Sequence, residues 1–126
     1  MKGWLKEVTY NIMSNIEAAW LAGFFDGEGT IGSYKTNRSS INKIILGWRL
    51  AIPNTHLGAL EYSQKITGIG IISSKSTQCN SLARKPQWVW KINNQRGIAA
   101  ISKQMLPYLL IKREAVEDFL FQCPNA

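Results

Sequence analysis

Apolar and polar positions follow two periods along this chain, helical and extended, in a fixed order. Ser14-x-x-Glu17 reads as a capping box just ahead of the apolar run 18–25, and predicts a helix over about 15–27. Glycines at 27, 29 and 32 then end it and start an extended segment. Residues 30–37 read as a first strand and 42–52 as a second. In the second, Ile44, Leu46, Trp48, Leu50 and Ile52 share one face, and Lys43, Ile45, Gly47, Arg49 and Ala51 the other. Asn37, Arg38, Ser39 and Ser40 make a polar hairpin loop between them. Pro53 is expected to stop the second strand. Asn54 and Thr55 are expected to cap a second helix reaching about Thr67, with Leu57 and Leu60 inward. Gly68-Ile69-Gly70 opens a third strand, about 69–77. A long polar loop ending near Arg84 and Lys85 leads to the fourth, about 87–92, where Trp88, Trp90 and Ile92 share a face. A short helix over about 95–105 follows. Pro107 sits at the expected start of a last helix, which runs to about Gln122.

The order α-β-β-α-β-β-α-α predicts an α+β fold: an antiparallel four-stranded sheet with helices over its apolar face. The other face is left solvated, polar, small and basic, with Tyr34, Thr36, Arg49, Ser73, Lys75 and Lys91. Strands with such a face can enter a DNA major groove.

The first helix carries an unusual stripe. On a 3.6-residue wheel Ala19, Ala22, Gly23, Asp26 and Gly27 fall together, while Trp20, Leu21, Phe24 and Phe25 fall on the bulky side. Glycine inside a helix costs about 1 kcal/mol relative to alanine, so a small face suits a site where another backbone comes close. No other predicted helix has a matching small face. A two-fold interface, which uses one patch twice, then explains the stripe more economically than an intrachain crossing. Asp26 and Glu28 lie at the end of this helix. Read alone they are turn residues; in a two-fold pair they would converge, and a hard cation such as Mg²⁺ or Ca²⁺ would relieve their repulsion.

Composition narrows the class. The 126 residues are 45% hydrophobic and 18% charged, enough for one compact domain over 1–126 and unlike a disordered chain. There is no repeat or low-complexity tract, and 1–13 reads as an N-terminal extension. A formal charge of +7 points to a polyanionic partner. Cys79 and Cys123 form no CxxC pair, and His56 lies far from both in sequence, so no zinc site is expected. The apolar run 18–25 is too short to span a bilayer, and Lys6 and Glu7 interrupt any leader-like stretch, so an intracellular protein without a membrane partner is expected.

The segment Leu21-Ala22-Gly23-Phe24-Phe25-Asp26-Gly27-Glu28-Gly29 resembles the nonapeptide that names the LAGLIDADG homing endonucleases. Pro107-Tyr108-Leu109-Leu110-Ile111-Lys112 is similar to the family's P-[FY]-L-x-x-K segment, and Thr67-Gly68-Ile69-Gly70 to its approach to the third strand. The resemblance covers about residues 17–122 and implies an αββαββα domain with a saddle-shaped sheet. One motif per chain implies a homodimer. The resemblance also implies Mg²⁺-dependent hydrolysis of both strands of a long, near-palindromic duplex, leaving short 3′ overhangs, with Ca²⁺ or Mn²⁺ as substitutes in binding or cleavage. Such enzymes are typically intron-encoded.

By position, the resemblance makes Glu28 the metal-binding carboxylate, with the Gly27 carbonyl as a second oxygen. Lys112 falls near the scissile phosphate, and Asp26 among the packed helix ends with Ala19, Ala22, Gly23 and Gly27. Thr30, Gly32, Tyr34, Thr36, Arg49, Ser73, Lys75, Thr77 and Lys91 would line the DNA saddle, and Arg38, Lys43, Arg84 and Lys85 would contact phosphates. One departure stands out. Many relatives carry a polar residue at the end of the second strand, where an ungapped reading finds Ile52; Asn54 is the candidate to supply that function. Three readings follow: the endonuclease; a non-cleaving nucleic-acid binder such as an intron RNA maturase or a regulator; and a basic αβ domain with no nucleic-acid role. Retention of Glu28 and Lys112 favours the first.

Overall fold

The computed structural model describes residues 8–38, 43–75 and 86–126. Helix α1 (Asn15–Glu28) begins at the capping box: the Ser14 hydroxyl accepts the Glu17 N–H at 3.1 Å, and the Glu17 carboxylate accepts the Ser14 N–H at 2.9 Å. Strands β1 (Thr30–Arg38) and β2 (Lys43–Asn54) form one antiparallel pair; β3 (Ile71–Lys75) and β4 (Gln87–Ile92) form another. The two pairs join through β2 and β4, giving the order β1-β2-β4-β3. Helices α2 (Leu57–Thr67), α3 (Gln95–Met105) and α4 (Arg113–Gln122) complete the chain. Among the described residues, no helix is long and apolar enough to cross a membrane.

The strand phase follows the alternation in the sequence. Trp48, Leu50, Ile52, Trp90 and Ile92 are buried on the helix side, packed with Leu21 and Phe25 of α1, Leu60 of α2, Ile98 and Ile101 of α3, and Val116 and Phe119 of α4. The Trp48 and Phe119 rings meet edge to face with centroids 5.0 Å apart, a geometry that adds to area burial. The Trp90 indole N–H donates to the Ile69 carbonyl at 3.0 Å. A Cβ on Gly70, at φ +98°, would collide with that indole, so this turn requires glycine.

Four local expectations are corrected. Pro53 does not stop β2, which runs through it to Asn54; β1 begins at Thr30 opposite Ala51, so Pro53 lies where β2 has a single neighbour, as a sheet proline prefers. The cap of α2 is His56, whose Nδ1 accepts the Ala59 N–H at 3.0 Å, rather than Asn54 or Thr55. Gly68 and Gly70 both have positive φ and form the turn after α2, so the third strand starts at Ile71. The last helix does not start at Pro107. That proline belongs to a single 3-10 turn, Leu106–Tyr108, and α4 begins at Arg113.

Candidate functional site

The end of α1 gathers three of the expected residues. Glu28, the last helical residue, is exposed, and its Oε1 accepts the Asn54 Nδ2–H at 3.2 Å. Asn54 closes β2, and its Oδ1 accepts the His56 N–H at 2.8 Å. These contacts fix the sense of the amide: oxygen toward the backbone donor, nitrogen toward the carboxylate. Asn54 touches Glu28, whereas the Ile52 side chain is fully buried in the core.

Asp26 has a different environment. Its Oδ2 accepts the Leu110 N–H at 2.8 Å, and its Oδ1 the Lys112 N–H at 2.9 Å. The Lys112 ammonium donates to the Asp26 main-chain carbonyl at 3.1 Å. The bend 109–112 is therefore fastened to the C-terminus of α1, and Lys112 lies there in a turn rather than on a helix. The ammonium sits favourably at the negative end of the α1 dipole.

The acids sit at that same end, and the last turn of α1 holds no base. A carboxylate there is disfavoured by about 0.3–1 kcal/mol. Asp26 is compensated by two N–H donors and the lysine beside it. Glu28 has one neutral amide. Its carboxylate and the nearby Gly27 carbonyl, which lacks an intrahelical donor, are hard oxygens of the kind Mg²⁺ and Ca²⁺ take. The donor chemistry fits such an ion, but one chain does not complete a site: among the described residues no three His, Cys, Asp or Glu gather.

The small stripe of α1 divides. Ala22 is fully buried in the chain's own core with Ala18, Leu21 and Phe25, at helical spacing, so its expected place at an intersubunit face is corrected. Asp26 likewise is turned to 110–112. The outward stripe is Ile16, Trp20, Gly23 and Gly27, with Ala19 half-buried beside it; Ile16 is 83% exposed. A Cβ added at Gly23 or Gly27 would meet nothing within 4 Å. Among the described residues nothing requires glycine at either position.

The open sheet face holds Thr30, Gly32, Tyr34, Arg49, Ser73 and Lys91. A row across all four strands runs Thr30, Ala51, Lys91, Ile71. Val89 and the 55%-exposed Ile71 make this face more apolar than expected. Thr36, Arg38, Lys43 and Lys75 lie on β1, β2 and β3. Thr77, Arg84 and Lys85 lie outside the described residues. Sequence reasoning missed Asn93, whose Oδ1 accepts the Arg49 Nε–H at 2.9 Å; extending the β4 alternation by one residue beyond Ile92 would have found it. It also missed His56, Leu110 and Ile111, whose contacts or exposure depend on turns.

No protein-family model matches the chain, and no curated protein does. Solved structures do. The homing endonuclease I-CvuI, in complex with its target in the presence of calcium, superposes with a TM-score of 0.70 at 23% identity, over 88% of this chain and 69% of that one. The group I intron-encoded homing endonuclease I-CeuI, complexed with DNA, gives 0.71 at 17% identity, over 95% of this chain and 59% of that one. The homing endonuclease I-TnaI gives 0.66 at 15% identity, over 81% and 67%.

Proposed function

Because the chain has the LAGLIDADG homing-endonuclease fold, we propose that it is one subunit of a homodimeric, site-specific DNA endonuclease that hydrolyses both strands of a long, near-palindromic duplex and leaves short 3′ overhangs. The observation that carries this reading is Glu28: an exposed carboxylate at the dipole-negative end of α1, held among the described residues by Asn54 alone, on the helix that also presents Gly23 and Gly27 to solvent. Two α1 helices packed through those glycines bring two Glu28 carboxylates toward one axis, which supplies from two chains the oxygens that one lacks. Leu110 and Ile111, 83% and 69% exposed and fastened to the end of α1 through Asp26, extend the apolar surface such a pairing can cover.

In this reading Glu28, its mate and the Gly27 carbonyl would hold Mg²⁺, with Ca²⁺ or Mn²⁺ as substitutes, and the bound ion would supply charge neutralisation on the phosphate and activation of the attacking water. Asn54 keeps the Glu28 carboxylate oriented. The Lys112 ammonium, anchored on the Asp26 carbonyl, provides a fixed positive charge where negative charge grows on the phosphate. The open sheet face lies in the major groove, with Thr30, Tyr34, Arg49, Ser73 and Lys91 toward the bases.

The test is cleavage of a randomised duplex library by the full chain with Mg²⁺, beside binding with Ca²⁺, for the unaltered protein and Glu28→Gln. Mg²⁺-dependent double-strand cutting that Glu28→Gln lowers by roughly a thousand-fold or more, with Ca²⁺-supported binding retained, is the expected outcome. Specific binding without cutting by the unaltered protein would overturn the nuclease. It would transfer the reading to a non-cleaving binder, such as an intron RNA maturase or a regulator, which the buried Ile52 favours.

A further inference from the structure

The middle of the open face holds an arginine whose orientation is set by two side chains. Arg49 lies on β2, paired with Gly32 of β1 across one ladder. Its guanidinium carbon stands 4.9 Å from the centroid of the Tyr34 ring. Its Nε–H donates to Asn93 Oδ1 at 2.9 Å. Tyr34 can lie under it because Gly47, its ladder partner, has no side chain: a Cβ there would fall 2.6 Å from the ring's Cζ. On the opposite side, a Cβ on Gly32 would meet nothing within 4 Å, so the space beside the arginine is clear.

An arginine has five N–H donors. With Nε held by Asn93, the four on the two terminal nitrogens take no partner among the described residues, and they form a planar fork. A phosphate contact needs no such fixing, since a flexible cation serves. A fixed fork suits the O6 and N7 acceptors of guanine, which a base pair presents side by side in the major groove.

We infer that Arg49 reads a guanine at one position of each half-site, with Tyr34 and Asn93 as positioning residues and Gly47 making room for the tyrosine. This rests on the DNA-binding reading above and adds to it a particular base at a particular row of the sheet. A guanine under the fork binds roughly ten- to a hundred-fold better than another base at that position.

The experiment is selection from a randomised duplex library in Ca²⁺, followed by affinity measurements across a salt series, for the unaltered protein and for Arg49→Lys, Arg49→Ala, Asn93→Ala, Tyr34→Leu and Tyr34→Phe. The unaltered protein should select guanine at one position per half-site. Arg49→Lys, which keeps the charge and loses the fork, should erase that preference and no other, with the salt slope unchanged. Asn93→Ala and Tyr34→Leu should weaken the preference at the same position, and Tyr34→Phe, which keeps the ring face, should retain it. An unchanged preference in Arg49→Lys overturns the inference. So does a loss in Arg49→Ala that is uniform across sequences and lowers the salt slope by about one, the mark of a phosphate contact. A library that yields no preferred sequence with the unaltered protein overturns the DNA-binding reading as well, so the two failures are distinct.

Discussion

The two long faces of α1 are made of similar residues and meet different fates. One carries Ala18, Leu21, Ala22 and Phe25, all buried against the chain's own sheet and helices. The other carries Ile16, Trp20, Gly23 and Gly27, all open to solvent. Small residues occur on both. Inside, Ala22 is small because the chain packs against it. Outside, Gly23 and Gly27 are small with nothing against them, at a helix-propensity cost of about 1 kcal/mol each. Among the described residues neither glycine relieves a clash, and the proposed pairing of two α1 helices would give both a use. The same division runs through the acids at the helix end: Asp26 is committed to the chain's own turn, and Glu28 is left facing outward.

Substitutions on the two faces should therefore separate folding from assembly. The largest effect on stability belongs to the inner face. Phe25→Ala leaves a cavity in a fully buried position and should cost about 3–5 kcal/mol in urea unfolding; a cost below 1 kcal/mol would mean that the inner stripe is not core. Asp26→Asn comes next. Asparagine has a single acceptor oxygen for two N–H donors, so one donor loses its partner and about 1.5–3 kcal/mol should go with it, seen as a lower urea midpoint. The smallest effect, and the sharpest, belongs to Gly23→Ala. Unfolding followed over a dilution series should show the dilute chain stabilised by about 1 kcal/mol, while sedimentation shows self-association weakened. A destabilised dilute chain would show that Gly23 serves the fold of the single chain, and the contrast between the faces would collapse.

Much of this was legible in the sequence because it is local. Ser14 and Glu17 set the start of α1 within four residues of chain, and the alternation through Trp48, Leu50 and Ile52 set the phase of the sheet. Two features were not legible. On the wheel Ala22 groups as well with Gly23 as with Leu21, and only the position of the sheet decides between them. Lys112 follows a proline that is equally at home at the start of an α-helix or in a 3-10 turn. What bends the chain there is a carboxylate 84 to 86 residues away, which no local pattern encodes. The partner of Arg49 escaped for a smaller reason: Asn93 stands one residue past the end of its strand.

That distant fastening also sets an order of assembly. Asp26 is made before Leu110 to Lys112, so the clasp closes a long loop and cannot form in a growing chain that has not yet reached Lys112. Until then a nascent polypeptide carries Asp26 and Glu28 without the Lys112 ammonium that the folded chain places on the Asp26 carbonyl. The two charges at the end of α1 are united only once that distant segment has been made.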